Sequence, residues 1–218
     1  MHPVLIAVIA ITVIISLAGF QNAEVFEKYK FNVSAIKYKK EYIRLLSAGF
    51  LHADWGHLFF NMFTLYFFGP IVLEAFDIIG FILIYLGSII LGNLFSLYLY
   101  QKQGWYSAIG ASGGVSGILF AAIAVYPMIG IGILFIPIPI KGYVFGLLYF
   151  SYSVYMMLNP KPHDNIGHAA HLGGAAFGLV YAVVVEPEVA FSNIYFLGVM
   201  SLPLLYMAYQ VFVKKRIG

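Results

Sequence analysis

Seven apolar runs, near residues 3–20, 57–76, 78–100, 112–130, 142–158, 166–185 and 190–213, constrain this chain more than any other feature. A helix needs about 20 apolar residues to cross a hydrocarbon layer, and these runs reach or approach that length. The fold expected is an all-α polytopic membrane protein with seven spans. The first run lacks a basic leading segment and a small-x-small cleavage site, so it reads as a retained helix rather than a signal peptide.

Composition narrows the function classes. Of 218 residues, 62% are hydrophobic and 10% charged, against roughly 25% charged in soluble domains. A net charge of +3 without a basic stripe is no phosphate footprint, so no nucleic-acid partner is expected. The absence of cysteine excludes disulfides, thiolate catalysis and cysteine metal sites. No internal repeat of the transporter kind is present.

The one substantial polar region, 21–44, carries Lys28, Lys30, Lys37, Lys39, Lys40 and Arg44 among Glu24, Glu27 and Glu41, and reads as an extramembrane loop. Beyond it, His57 and Asn61 stand one helical repeat apart, so both project from one face. Two donors on one face suit an anion, although bonding to a neighbouring helix would explain them equally. His52 does not share that face and reads as a structural contact. Gly69-Pro70 is expected to kink the second span. Glu74 and Asp77 mark its far edge, with Glu74 capping or bonding loop amides.

Gly110-Ala111-Ser112-Gly113 opens the fourth run and is followed by Gly114-Val115-Ser116-Gly117. Ser112 stands at the helix start, where backbone amides have no ladder partner, and so suits nucleophilic chemistry better than Ser116. Gly113, Gly117 and Ala121 form a small-residue stripe. A second stripe, Ala170, Gly174 and Gly178, surrounds His171. Small stripes let helix backbones approach closely in lipid. If these two meet, His171 comes within general-base reach of Ser112. The region 130–142 reads as a turn. Most rings of the fifth run (Phe145, Tyr149, Phe150, Tyr152 and Tyr155) read as packing or lipid-facing groups.

Other chemistries fit poorly. His168 and His171 could suggest a metal pair, but there is no HExxH and few carboxylates lie near, so no metal and no cofactor is expected. The three aspartates, Asp54, Asp77 and Asp164, sit at span ends, which disfavours an aspartyl pair. Asp164 lies two helical turns before His171, too far for a Ser-His-Asp triad. The inventory supports a Ser-His dyad, with the base oriented by packing.

The series Arg44, His52, His57-x-x-x-Asn61, Gly110-Ala-Ser112-Gly113 and Ala170-His171-Leu-Gly-Gly174 resembles the rhomboid intramembrane serine proteases, over about Arg44 to Gly178. The resemblance implies an intramembrane endopeptidase with Ser112 as nucleophile and His171 as base and acid. It implies an oxyanion site of His57, Asn61 and the Ser112 amide. It also implies a hydrated cavity, a fifth helix acting as substrate gate, and single-span membrane proteins as substrates. The chain then reads as one domain, 1–218, with a six-helix core of about 1–186 and an added C-terminal helix at about 190–213. The expected setting is the lipid bilayer of the cell membrane. One departure stands out: the family often places an aromatic ring, stacked on the catalytic histidine, where this chain has Ser116.

Eleven of the twelve lysines and arginines fall on the side of the 21–44 loop, which the positive-inside rule assigns to the cytoplasm. The resemblance implies the opposite orientation, which is preferred because the loop is expected to pack as a folded part of the protein. Two further readings stay open. One is a non-catalytic rhomboid-like protein that binds membrane helices, and the other a small transporter or channel using its intramembrane histidines.

Overall fold

The computed structural model describes residues 2–133, 136–161, 164 and 166–216. Residues 134–135 of the expected turn, and 162, 163 and 165 of the polar loop before His168, lie outside the described residues. The protein is a mostly helical integral membrane protein. Among the described residues, Pro3–Gln21 (α1), Trp55–Tyr100 (α5), His168–Val185 (α8) and Ile194–Val213 are long and apolar enough to cross a membrane. Ser112–Val125 (α6) and Gly142–Leu158 (α7) are shorter apolar helices.

The 46-residue α5 holds two of the expected runs. Its length, about 69 Å at 1.5 Å per residue, is enough to cross a roughly 30 Å hydrocarbon core twice. The break falls at Asp77, whose φ of 57° is non-helical. Asp77 Oδ1 accepts the amides of Ile79 and Gly80 at 2.7 and 3.0 Å, capping the second half. Pro70 lies inside the helix, and Gly69 packs closely on α1, since a Cβ there would lie 2.8 Å from Leu5. One expectation is corrected: the capping carboxylate is Asp77, while Glu74 is exposed.

The polar region is folded. Ala23–Tyr29 (α2), Phe31–Asn32 (β1), Val33–Lys39 (α3) and Arg44–Ser47 (α4) lead into a 3-10 turn at Ala48–Phe50. Arg44 is buried, bonding Glu41 Oε2 at 2.6 Å and donating to the carbonyls of Glu27 and Lys30 at 2.7 and 2.8 Å. A buried charge needs that degree of satisfaction. β1 pairs antiparallel with Ser107–Ala108 (β2), in the loop just before Ser112. The extramembrane region therefore braces the segment that delivers the serine.

Small sheets modify the all-α expectation. The 130–142 region contains an antiparallel hairpin, Gly130–Ile133 (β3) with Ile136–Lys141 (β4), rather than an irregular turn. Pro187–Ser192 (α9) and Ile194–Ala208 (α10), with a π turn at Tyr209–Val213, complete the described chain. Asn193 donates to the carbonyls of Ala124 and Val125, satisfying the C-terminal end of α6. Met200 of α10 packs on α7, where a Cβ at Gly146 would meet its sulfur.

Candidate active site

Three glycines in the first two turns of α6, Gly113, Gly114 and Gly117, would destabilise a helix in water, so tertiary contact must hold it. Residues 113–124 are all buried. A Cβ at Gly174 would run into the backbone of Gly113, and one at Gly178 into the backbone of Gly117. Gly113 in turn faces the carbonyl of Ala170. The two expected stripes are thus in main-chain contact. A third helix joins them, since a Cβ at Gly92 of α5 would meet the Ala170 carbonyl and one at Gly117 would meet Ser88. This registry sets Ser112-Gly113 beside Ala170-His171.

The segment before Ser112 is fixed by backbone bonds. Gly110 has φ 117°, a conformation that a side chain would strain. Its amide donates to Ala48 O at 2.9 Å, and the Ala111 amide donates to His52 Nε2 at 3.3 Å. The first ladder bond of α6 runs from the Val115 amide to Ala111 O. Among the described residues, the amides of Ser112, Gly113 and Gly114 therefore have no ladder partner, and no side chain caps the helix.

Asp54 caps α5 by accepting the His57 amide at 2.8 Å, which orients the first turn of that helix. A Cβ at Gly110 would lie 2.6 Å from His57 Nε2, so the imidazole rests against the glycine. His57, Gly110, Ser112, Gly113, Gly167 and Ala170 line one cavity of about 350 Å³, together with Trp105, Tyr106 and Asp164. Asn61 is buried, and its amide donates to the His57 carbonyl at 3.1 Å. Neither Asn61 nor the His171 ring is among the residues lining that cavity. No hydrogen bond joins Ser112 Oγ to His171 among the described residues, and such catalytic bonds often tighten only with substrate.

His52 has the structural role its spacing suggested. Because Nε2 accepts from Ala111, Nδ1 carries the proton and donates to Ser16 Oγ of α1 at 2.8 Å; the Ser16 hydroxyl donates to Phe50 O. Burial lowers the pKa of His52 from 6.5 to about 3, with His57 adding to the effect and Asp54 opposing it. Asp164 bonds His168 at 3.1 Å, and no carboxylate hydrogen-bonds His171 among the described residues.

The residue that sequence reading missed is Tyr149. Its hydroxyl lies 2.9 Å from Ser116 Oγ, and its ring lies nearly parallel to His171, 18° between planes and 6.5 Å between centroids. Nothing in the spacing of the fifth run distinguishes it from its aromatic neighbours.

A family model described as the Rhomboid domain matches residues 39–188. The chain is similar to Rhomboid protein 1, mitochondrial, of Saccharomyces cerevisiae, 28% identical over 151 residues, covering 67% of this chain and 43% of the relative. It is similar to Rhomboid-like protein 11, chloroplastic, of Arabidopsis thaliana, 30% identical over 152 residues, 63% of this chain and 50% of the relative. Presenilin-associated rhomboid-like protein, mitochondrial, of Homo sapiens is 29% identical over 152 residues, 68% of this chain and 39% of the relative. The matches thus span half or less of these relatives' length.

Proposed function

The chain belongs to the rhomboid family, and on that premise we propose that it is an intramembrane serine endopeptidase acting on single-span membrane proteins. Ser112 Oγ attacks the scissile carbonyl while His171 takes its proton. The oxyanion that forms is held by the Ser112 amide and His57, with Asn61 contributing its second amide hydrogen. His171 then returns the proton to the leaving amine, and water releases the acyl group by the same steps in reverse roles. The observation that carries this reading is the uncapped start of α6. It presents a hydroxyl and unpaired amides to a cavity shared with His57, while the glycine seam brings α8 alongside.

The reading includes seven crossings: α1, the two halves of α5, α6, α7, α8, and α10 with its π turn. In the family orientation, the folded 21–50 region and the cavity mouth face away from the cytoplasm. Protease access to a tag placed after Arg216 tests that orientation. Which membrane houses the chain is a separate question. The cell membrane expected from sequence stands against relatives whose names place them in mitochondria and chloroplasts, and fractionation of the tagged chain decides it.

The decisive experiment combines fluorophosphonate labelling with cleavage of a reconstituted single-span substrate. Both are expected to vanish in Ser112→Ala and in His171→Ala, while Ser116→Ala still labels. Labelling that persists in Ser112→Ala overturns the nucleophile. A folded wild-type chain that neither labels nor cleaves favours the alternative, a non-catalytic family member that binds transmembrane helices.

A further inference from the structure

We infer that Tyr149 is the positioning residue for His171, held in place by a hydrogen bond to Ser116. The inference rests on the Ser112–His171 reading above. A general base must keep its ring in one orientation, and a carboxylate bonded to the imidazole is the usual means. No carboxylate does this among the described residues: Asp164 is engaged by His168, and Asp54 caps α5.

Packing has to supply the restraint instead. On α6 the position one turn beyond Ser112 holds Ser116, a buried hydroxyl too small to cover an imidazole. The ring arrives from α7. Tyr149 lies almost parallel to His171, at an offset-stacked separation typical of favourable aromatic pairs. Its own orientation is fixed at both ends: Phe120 and Phe145 pack on the ring at 5.3 and 5.9 Å, and Ser116 holds the hydroxyl. Ser116 and Tyr149 together do from two helices what one aromatic side chain could do from α6. The small residue at 116 is then a requirement of the arrangement, because a ring there would occupy the place of Tyr149.

The test is a set of variants in reconstituted full-length chain, read by the rate of fluorophosphonate labelling of Ser112, by kcat and KM on a single-span substrate, and by thermal stability. Tyr149→Leu is expected to lower kcat and the labelling rate about tenfold to hundredfold, the loss of one hydrogen bond and one aromatic pair, with KM within about twofold. Tyr149→Phe and Ser116→Ala should each cost about threefold to tenfold, and the double variant no more than either alone, since both remove the same bond. Moving the ring, as Ser116→Tyr with Tyr149→Ala, is expected to recover part of the lost rate. If Tyr149→Leu fails to fold, the single and double hydroxyl deletions decide the matter. Wild-type kcat in Tyr149→Leu, strict additivity of the hydroxyl deletions, or a loss confined to KM overturns the positioning role while leaving the dyad standing. A folded wild-type chain that neither labels nor cleaves overturns both.

Discussion

Two contacts on α6 obey different rules. Where α6 meets α8, glycine faces backbone and no side chain intervenes. Where α6 meets α7, rings intervene: Phe120 stacks on Phe150 at 4.1 Å and meets Tyr149 at a tilt at 5.3 Å. The first contact fixes the distance between the serine and histidine backbones, and has no slack to absorb change. The second fixes only how a ring faces the histidine, through side chains able to turn. Backbone registry and side-chain orientation at the site are therefore set by different neighbours.

Substitutions can break that contrast, and the seam should be the more sensitive side. Gly174→Ala adds about 1 kcal/mol of helix propensity, but its methyl meets the main chain of Gly113, and overpacking of about 1–3 kcal/mol or more should win. The expected result is a lower melting temperature in detergent and at least about tenfold slower labelling, since misplacement of catalytic groups is costly. An unchanged melting temperature would mean the seam is looser than it looks.

Acid should act next, through the loop that feeds the seam. His52 is neutral in the fold with its pKa lowered to about 3, whereas in the unfolded chain it titrates near the ordinary 6.5. Stability is then complete above 6.5 and is lost as pH falls from there toward 3, by at most about 1.4 kcal/mol per pH unit. Melting temperatures recorded from pH 7 to pH 5 should fall, and His52→Gln should flatten that fall while lowering the value at pH 7. A pH profile identical in the two proteins would remove His52 as the sensor.

On the side-chain side, Gly146→Ala meets the thioether of Met200, the far end of a flexible side chain, and comes within 3.2 Å of the Phe120 ring, with no main chain in the way. Clash and propensity gain should nearly cancel, leaving stability within about 1 kcal/mol. Gly198→Ala, with nothing within 4 Å, serves as the reference. It should be neutral or stabilising by up to about 1 kcal/mol. A Gly146→Ala defect as large as that of Gly174→Ala would erase the distinction between the two contacts.

Much of this arrangement was legible beforehand because it rests on local pattern. Gly174 and Gly178 recur at helical spacing and meet Gly113 and Gly117 as their stripes implied. Ser112 begins its helix, and His57 reaches the same cavity. Other features depend on neighbours distant in the chain. The runs implied a boundary near Asp77, but only the fold shows that its carboxylate makes the turn by capping the next half of α5. The 130–142 segment looked irregular because its prolines obscure a strand pattern that only cross-strand pairing reveals. The bond from the Asn61 amide to the His57 carbonyl is likewise a contact that spacing alone does not show.

By itself the sequence determined that the chain is a membrane protein of apolar helices, with a serine and a histidine each set in a stripe of small residues. Those properties follow from hydropathy and helical period, which neighbouring residues fix among themselves. Tertiary structure alone decided that a third helix, through Ser88 and Gly92, closes the seam, and that Tyr149 of α7 faces His171. A ring's partner depends on which helices pack together and at what rotation, and that information is held by no single stretch of chain.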